Sequence, residues 1–188
     1  ASIKEAKSFG INVDMSAVTV DFKAINKRKN SVINGLGFGL EAMLWKKSRG
    51  IDVIKGRARL TDAHTIEVDN GKAGKTVTAE NIVIAVGSEP AEIPAFNVDH
   101  EKIITSNEIM DFSRPMPESI VIIGSGAIGL EYGHIYDIYG VKVTIVEMMP
   151  NLVPALHDTE ITDAVKASLE KRGITVKCGS GIASVEVQ

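Results

Sequence analysis

Three closely spaced glycines constrain the fold of this chain more than any other feature. Gly124, Gly126 and Gly129 have the spacing Gly-x-Gly-x-x-Gly. The apolar run directly before them is typical of a buried β-strand, and apolar residues at helical spacing follow them. A second apolar run then ends in the acidic Glu147. This order of strand, glycine turn, helix and strand predicts a parallel βαβ unit.

The alternation of strands and helices continues beyond this unit. We predict strands at 119–123, 141–147 and 174–178, and helices at 127–139 and 159–172. Asp158 is the expected N-cap of the second helix, and Gly173 its end. The expected buried stripe of that helix consists of Ile161, Ala164, Val165, Ser168 and Leu169. The pattern predicts an α/β fold of three layers, with a Rossmann-like parallel sheet covered on both faces.

Each glycine has a separate task in such a unit. Gly124 permits the tight turn, and Gly126 lets the backbone approach a pyrophosphate because it has no Cβ. Gly129, and Gly133 one turn later, allow the helix to lie close to the sheet. Amide groups at the helix N-terminus, at the positive end of its dipole, then bind the phosphates. The alternative is a glycine turn between packed elements that binds no ligand.

Glu147 bears on which dinucleotide is bound. It follows Gly126 by about 20 residues and ends the second strand, where the adenosine ribose of a dinucleotide is expected. A carboxylate there can accept hydrogen bonds from both ribose hydroxyls, whereas a 2′-phosphate would meet like charge. Met148 and Met149 follow, with no Arg or Lys to neutralise a phosphate. The residues favour NAD over NADP, and the alternative is a solvated glutamate at a strand end.

The first half of the chain has a different pattern. Apolar spacing predicts a helix at 22–47, although Gly35, Gly37 and Gly39 each weaken it by about 1 kcal/mol relative to Ala. We interpret these glycines as a place of close helix packing or a kink, because no strand precedes them as it would precede a phosphate loop. Short strands are predicted at 51–60, 64–68, 76–78 and 82–86, with a turn at 69–71.

A loop-rich connection separates the two halves. It extends from about residue 87 to residue 118 and contains one predicted strand, at 102–105. We place the domain boundary within it, so that residues 1–90 and 91–188 form two domains.

Composition and charge give no support for a nucleic-acid-binding, membrane-spanning or metal-binding protein. The net charge of −3 gives no electrostatic argument for binding nucleic acid or an anionic membrane. No apolar run approaches the roughly 20 residues needed to cross a bilayer, and a cytoplasmic protein is the expectation. Cys178 is the only cysteine, and we interpret it as a buried structural thiol. The four histidines are too far apart in sequence to predict a metal site.

The order of several segments resembles one enzyme family. Residues 82–90, Ile-Val-Ile-Ala-Val-Gly-Ser-Glu-Pro, resemble the Ala-Thr-Gly-Ser-x-Pro segment of flavin-dependent disulfide oxidoreductases. The glycine segment 117–131, the strand 143–147 and the Leu-Val-Pro at 152–154 follow in the order of that family. Residues 53–58 also resemble its Gly-x-Gly/Ala turn beside the flavin adenine. Within the family, the combination is most similar to the dihydrolipoamide dehydrogenases, and the resemblance covers essentially the whole chain.

This resemblance implies a reaction and its cofactors. Dihydrolipoamide reduces an active-site disulfide, the disulfide reduces FAD, and a hydride passes to NAD. Residues 1–90 would be the later part of an FAD-binding domain, and residues 91–188 the first part of an NAD-binding domain. The implied NAD contacts are Gly124, Ser125, Gly126, Ala127, Ile128, Gly129, Leu130, Glu131, Glu147 and Ile182. The implied FAD contacts are Ala58, Val86, Gly87 and Ser88.

The family also implies partners and a location. These are a homodimer, a lipoyl-bearing protein of a 2-oxoacid dehydrogenase complex, and the cytoplasm or, in a eukaryote, the mitochondrial matrix. Neither nucleic acid nor a membrane is an expected partner.

The chain departs from the family pattern in several places. Val86 replaces the usual Thr, which affects one flavin contact. The first glycine motif for flavin, the paired redox cysteines and the His–Glu pair do not occur, so we expect an interior fragment that is inactive alone. Residues 1–90 are then expected to be poorly stable as a monomer. The alternatives are a stand-alone NAD-binding module without redox chemistry, or a related NADH oxidase, mercuric reductase or transhydrogenase.

Overall fold

The computed structural model of the chain describes residue 3 and residues 6–45, 49–71 and 74–187. The described residues form two compact units. One unit consists of residues 1–26 and 90–188, and we call it the parallel-sheet unit. The other, Lys27–Glu89, we call the meander unit. The first 26 residues are thus grouped with the second half of the chain, whereas the sequence suggested a division near residue 90.

The meander unit contains a three-stranded antiparallel sheet. Its strands are β1 (Arg57–Leu60), β2 (Thr65–Asp69) and β3 (Lys75–Thr78), in the order β1-β2-β3. The carboxylate of Asp69 accepts a hydrogen bond of 2.9 Å from the amide of Gly71, which has a φ of 72°. This local hydrogen bond stabilises the start of the predicted turn between β2 and β3. The predicted antiparallel meander is therefore confirmed for these three strands.

Two predicted strands of this region differ in the structure. The strand predicted at 51–60 is shortened to β1, and the one predicted at 82–86 does not form. Val83 and Val86 are 87% and 88% exposed. No neighbouring strand pairs with residues 82–86 among the described residues, and an apolar segment gains the ladder bonds and burial of a strand only from such a neighbour.

A long helix, α1 (Phe22–Leu44), precedes this sheet in the chain. It confirms the predicted helix as far as Leu44, and Lys46 and Lys47 lie outside the described residues. None of its residues is buried. Added Cβ atoms at its three glycines would meet nothing within 4 Å. The predicted close packing at Gly35, Gly37 and Gly39 is therefore wrong for the described part of the chain.

The parallel-sheet unit contains the predicted alternation of strands and helices. Its elements are β4 (Ser119–Ile123), α3 (Ala127–Ile138), β5 (Lys142–Val146), α4 (Thr159–Lys171) and β6 (Thr175–Lys177). The strands are parallel in the order β4-β5-β6. Helices α3 and α4 both contribute to one apolar core with the side chains of β5. On β4, Val121 and Ile123 are exposed, so the second covered face expected from the sequence is incomplete here.

The core of this unit is built around β5. Ile145 is 0% and Val143 1% exposed, and they pack with Tyr136 of α3 and Leu169 of α4. Ile-sized side chains buried to this degree stabilise a fold by about 1.5–3 kcal/mol each. The core therefore fixes both helices against one face of the sheet.

Helix α4 presents only part of the predicted stripe to the core, namely Val165 and Leu169. The side chains of Thr162 and Leu169 are buried, whereas Ile161, Ala164 and Ser168 are exposed. The hydroxyl of Thr162 donates to the carbonyl of Thr159 at 3.1 Å, so it can be buried without an unpaired donor. The helix begins as predicted, since the Asp158 side chain accepts from the amide of Ile161, and it ends at Lys171, one residue before the predicted end.

The connection between the halves has no strand at 102–105, where one was predicted, and a short helix follows that segment. The Asp99 carboxylate accepts 2.8 Å hydrogen bonds from the amides of Glu101, Lys102 and Ile103. These amides are therefore unavailable to a β-ladder, and the predicted strand at 102–105 is wrong. Helix α2 (Ser106–Ile109) follows, and a capping box between Thr105 and Glu108 stabilises its N-terminus. Single 3-10 turns occur at Ala6–Phe9, Met15–Ala17 and Pro94–Phe96.

Candidate functional site

The candidate site is the turn that leads from β4 into α3. Gly124 has a φ of 98°, a left-handed conformation that favours glycine. Its amide donates to the carbonyl of Val146 at 2.8 Å, which continues the β4–β5 pairing into the turn. Gly126 is the N-cap of α3. The turn therefore lies between a strand and the helix that follows it, at the carboxyl edge of the parallel sheet.

The two later glycines of the motif face different surroundings. A Cβ on Gly129 would run into the carbonyl oxygen of Gly124 and lie 3.2 Å from Cγ2 of Ile122. A Cβ on Gly126 would meet nothing within 4 Å. Gly129 is thus required by the protein's own packing, whereas the space at Gly126 is open. That difference is expected if a ligand, and not the protein, occupies the space beside Gly126.

Gly133 extends the contact between helix and sheet. A Cβ at this position would lie 3.1 Å from Cδ1 of Ile145 and 3.6 Å from Cγ1 of Val143. The predicted close approach of α3 to the sheet is therefore confirmed over two turns of the helix.

The N-terminus of α3 has donors for an anion. Gly126 has no side chain, and no side-chain cap bond is made at this end. The amide of Leu130 is the first to bond within the helix, to the carbonyl of Gly126. The amides of Ala127, Ile128 and Gly129 precede it, and such first-turn groups have no partner inside a helix. Together with the helix dipole they favour a phosphate at this position.

Glu147 points toward the same turn. Its Oε2 accepts from the Ser125 amide at 2.9 Å and from the Ser125 hydroxyl at 2.7 Å. Its Oε1 accepts from the amide of Met149 at 2.8 Å. Its side chain is 6% exposed. The carboxylate is therefore held against the glycine turn, at the end of β5.

These hydrogen bonds keep the carboxylate ionised. Burial alone would raise the pKa of Glu147, but the bonds from Met149 and Ser125 outweigh it and hold the pKa below the usual value of 4.5. A glutamate with a lowered pKa carries its negative charge at neutral pH. The site is thus suited to accept hydrogen bonds from hydroxyl groups and repels a second anion.

Ser125 connects the glycine turn to the segment that contains Val153. The sequence patterns did not predict this role. The side chain is completely buried. Besides donating to Glu147, its hydroxyl accepts from the amide of Val153 at 3.1 Å. Val153 has a φ of 47°, which is uncommon for a β-branched residue. A hydroxyl residue between the first two glycines was the signal in the sequence, but its partners lie more than 20 residues away.

The other predicted NAD residues are distributed along the helix and beyond β6. Ala127, Ile128 and Glu131 are exposed on α3, and Leu130 is half-buried against the core. Ile182 is half-buried in the segment after β6. Their contact with a nucleotide stays a prediction.

The residues predicted to contact FAD lie in the meander unit. Ala58 is an exposed residue of β1, paired with Val68 of β2. Val86, Gly87 and Ser88 are exposed and follow the segment that does not form a strand. Their contact with FAD also stays a prediction.

The remaining questions from the sequence concern Cys178, a metal site and a membrane-spanning helix. Cys178 is half-buried and packs against the core of the parallel-sheet unit. In the described residues, no group of three His, Cys, Asp or Glu side chains is placed to hold a metal ion. None of the described helices is both long and apolar enough to span a membrane.

The fold and the site define a class of protein. A parallel sheet, a glycine turn at its carboxyl edge and an acidic residue at the end of the next strand define a Rossmann-like α/β protein. The chain belongs to the pyridine nucleotide-disulphide oxidoreductase family, whose match extends over residues 4–188. This confirms the family resemblance of the sequence.

The chain is similar to proteins named dihydrolipoyl dehydrogenase. It is 39% identical over 186 residues to that of Chlorobaculum parvum, covering 98% of this chain and 38% of the relative. It is 35% identical over 185 residues to that of Bacillus subtilis, covering 98% of this chain and 39% of the relative. The chain thus spans less than two fifths of the length of these relatives.

Solved structures of the same fold are also similar. One is an HOCl-induced flavoprotein disulfide reductase from Escherichia coli, with a TM-score of 0.74 at 25% identity. That match covers 88% of this chain and 37% of the other. LpdA from Mycobacterium tuberculosis matches with a TM-score of 0.80 at 23% identity, over 97% of this chain and 39% of the other. The latter supports the fold alone.

Proposed function

We propose that this chain supplies the NAD-binding unit of an NAD-linked flavoprotein that oxidises dihydrolipoamide to lipoamide. The observation that carries the proposal is the turn from Gly124 to Gly129, with open space at Gly126 and the Glu147 carboxylate bonded to Ser125. Relatives named dihydrolipoyl dehydrogenase support the substrate. In the overall reaction, dihydrolipoamide and NAD⁺ give lipoamide, NADH and a proton.

The residues at the turn fit a dinucleotide. The first-turn amides of α3 would hold the pyrophosphate, and the missing Cβ of Gly126 would let its oxygens approach the backbone. The Glu147 carboxylate would hold the adenosine ribose and exclude a 2′-phosphate by like charge. NAD, when bound, accepts a hydride at its nicotinamide ring. The chain's own residues therefore bind and orient the nucleotide, and among the implied contacts none is catalytic.

The FAD part of the proposal rests on the resemblance. Ala58 and residues 86–88 would contact FAD. In the meander unit these residues are exposed, so they do not enclose a cofactor site there. We therefore derive no chemistry through FAD from these residues. Flavin measured by absorbance after purification tests this part, and we expect little or none in this chain.

The dimer, the lipoyl-bearing partner and the cytoplasmic or mitochondrial location belong to the same proposal. They rest on the family resemblance of the sequence, and they would be tested on a protein that contains this chain together with the redox disulfide.

A nucleotide titration tests the proposed function. The chain is titrated with NADH and NADPH at one salt concentration, and nicotinamide fluorescence reports binding. We expect NADH to bind at least about tenfold more tightly, since a 2′-phosphate would approach the ionised Glu147. In Glu147→Gln this preference should shrink, while the exposed control Glu170→Gln should keep it. Tighter binding of NADPH to the unchanged chain would contradict the proposal.

A stand-alone NAD-binding module is the second candidate. It is favoured by the single cysteine of the sequence, which cannot form a redox disulfide within this chain. Dihydrolipoamide:NAD activity of a longer protein that includes this chain would exclude it.

A further inference from the structure

The Glu147 carboxylate is fixed by hydrogen-bond donors from two segments. From the glycine turn, the amide of Ser125 donates to Oε2 at 2.9 Å, and the hydroxyl of the same residue donates to Oε2 at 2.7 Å. From its own segment, the amide of Met149 donates to Oε1 at 2.8 Å, and the backbone of Met148 contributes a further hydrogen bond. All of these donors are uncharged, and among them only the Ser125 hydroxyl belongs to a side chain.

The Ser125 hydroxyl is itself held in the orientation that its bond to Glu147 needs. It accepts from the Val153 amide at 3.1 Å while it donates to the carboxylate. Hydrogen bonds in such a chain strengthen one another, because each polarises the next. The Ser125 side chain is completely buried, so the chain of bonds is shielded from water. The carboxylate is therefore coupled through Ser125 to the segment that contains Val153.

Loss of the Ser125 hydroxyl would change Glu147 in two ways. The carboxylate would be less restrained, because one of the bonds that fix Oε2 would be missing. It would also take up a proton more readily, since burial raises the pKa of Glu147 and the Ser125 hydroxyl is among the donors that lower this pKa. Both changes weaken the acceptor that a ribose hydroxyl needs, and both reduce the repulsion that a 2′-phosphate meets.

We propose that Ser125 is a specificity-determining residue, because its hydroxyl positions the Glu147 carboxylate for discrimination between NAD and NADP. The inference rests on the proposed function, namely NAD bound at this turn. It adds that discrimination depends on the chain of hydrogen bonds from Val153 through Ser125 to Glu147, and not on Glu147 alone. Ser125 acts through Glu147, so it is a positioning residue.

The variant Ser125→Ala tests this inference. The affinities for NADH and NADPH are measured by nicotinamide fluorescence at one salt concentration and at neutral pH, and the ratio of the two affinities is compared with that of the unchanged chain. We expect the preference for NADH to fall at least about threefold, since a hydrogen bond to a charged group contributes a factor of about ten or more to an equilibrium constant. If both affinities fell by the same factor, as they would after a general loosening of the fold, the inference would be overturned.

The variant Thr162→Val is the matched control. Thr162 is also buried, but its hydroxyl donates to the carbonyl of Thr159 within α4 and not to the carboxylate. The control therefore removes a buried hydroxyl of the same unit, and it should keep the ratio of the two affinities within about twofold of the unchanged chain. An equal fall of the ratio in this control would contradict a specific role of Ser125.

A double variant tests whether Ser125 acts through Glu147. In Glu147→Gln the charge that repels a 2′-phosphate is already absent. Adding Ser125→Ala to this variant should therefore change the ratio of the two affinities by no more than about twofold. A further fall as large as that of Ser125→Ala alone would show an effect independent of Glu147, and it would overturn the inference.

These measurements separate the inference from the function on which it rests. If a folded, unchanged chain binds neither nucleotide, the proposed function fails, and the inference fails with it. If the unchanged chain prefers NADH and Ser125→Ala keeps that preference, only the role of Ser125 fails. If Ser125→Ala does not fold, as judged by circular dichroism, a carboxyl NMR titration of Glu147 in the unchanged chain decides. A pKa below 4.5 supports the hydrogen-bonded carboxylate, and a pKa above 4.5 overturns the inference.

Discussion

The two units of this chain differ in how deeply they bury a short apolar segment. In the parallel-sheet unit, strand β5 has helices against one face and a strand on each side, and Ile145 is 0% exposed. In the meander unit, the apolar segment 82–86 has no strand beside it, and Ile84 is 69% exposed. Both segments are short, apolar and rich in β-branched residues. An apolar segment thus becomes a buried strand only where neighbours supply both its hydrogen bonds and its cover.

The difference has a consequence for stability. Removing apolar area from water contributes about 25 cal/mol per Å², and most of this contribution is absent where side chains stay exposed. We expect the parallel-sheet unit to unfold cooperatively. The meander unit is expected to be marginal as a monomer and to exchange with another copy or rearrange.

The same deletion at Ile145 and Ile84 tests the comparison directly. Ile145→Ala removes a fully buried side chain from the core and should lower the free energy of unfolding by about 2–5 kcal/mol. Ile84→Ala should change it by no more than about 0.5 kcal/mol, as is usual for exposed positions. Urea unfolding followed by circular dichroism measures both. An equally large effect at Ile84 would show that residues 82–86 are buried in solution.

Two alanine variants of the glycine turn separate packing from ligand binding. Gly129→Ala places a Cβ against the Gly124 carbonyl and should lower the free energy of unfolding by about 1–3 kcal/mol. Gly126→Ala has open space and should leave stability nearly unchanged, but it should weaken NADH binding because the pyrophosphate loses its close approach. Gly181→Ala, which also has open space, is the control for both measurements. Unweakened NADH binding in Gly126→Ala would argue against a ligand at this turn.

Two ion pairs extend the comparison to charged residues. In the parallel-sheet unit, Arg172 donates twice to one carboxylate oxygen of Asp137, at 3.1 and 2.9 Å, and both side chains are largely shielded. Arg172→Ala should cost about 1.5–3 kcal/mol. In the meander unit, Arg59 and Glu67 are mostly exposed, and Arg59→Ala should cost less than about 1 kcal/mol. Thermal unfolding at low and high salt measures both, and a larger effect at Arg59 would contradict the comparison.

Glu108 is expected to titrate far below an ordinary glutamate. Hydrogen bonds from the Thr105 amide and hydroxyl lower its pKa to about 2, with a smaller contribution from His100. Because the pKa is lowered in the folded state, the stabilisation by Glu108 is present above its usual pKa of 4.5 and is lost as the pH falls toward 2. Carboxyl NMR shifts measure this titration.

The variant Thr105→Val supplies the control for that titration. It removes the hydroxyl but keeps the amide, so the pKa of Glu108 should rise only part of the way. An unchanged pKa in this variant would mean that the Thr105 hydroxyl does not donate to Glu108 in solution.

Local patterns were sufficient to predict most elements of the parallel-sheet unit. The apolar run before Gly124 and the helical spacing after it predicted β4 and α3 to within one residue at the helix end. Asp158 was correctly predicted as an N-cap, because capping depends on a side chain and an amide three residues away. The family followed from the order of such segments.

Two of the errors share one physical cause, which is competition that a local pattern does not contain. The segment 102–105 has strand-like residues, but Asp99 captures the amides that a ladder would use. Helix α4 was predicted with Ile161 inward, whereas Thr162 is buried, and its hydroxyl is satisfied there by the carbonyl of Thr159. In each case a side-chain hydrogen bond changed which groups could be buried or paired.

Residues close together in the chain specify the order of strands and helices, the glycine turn and the family, so sequence patterns were enough to predict them. The side chain that meets Glu147 depends instead on the fold. The bonds from Ser125 and their link to Val153 connect three segments that are distant in sequence. Such bonds form only when packing of α3 and α4 on the sheet brings those segments together, so periodicity and spacing do not reveal them.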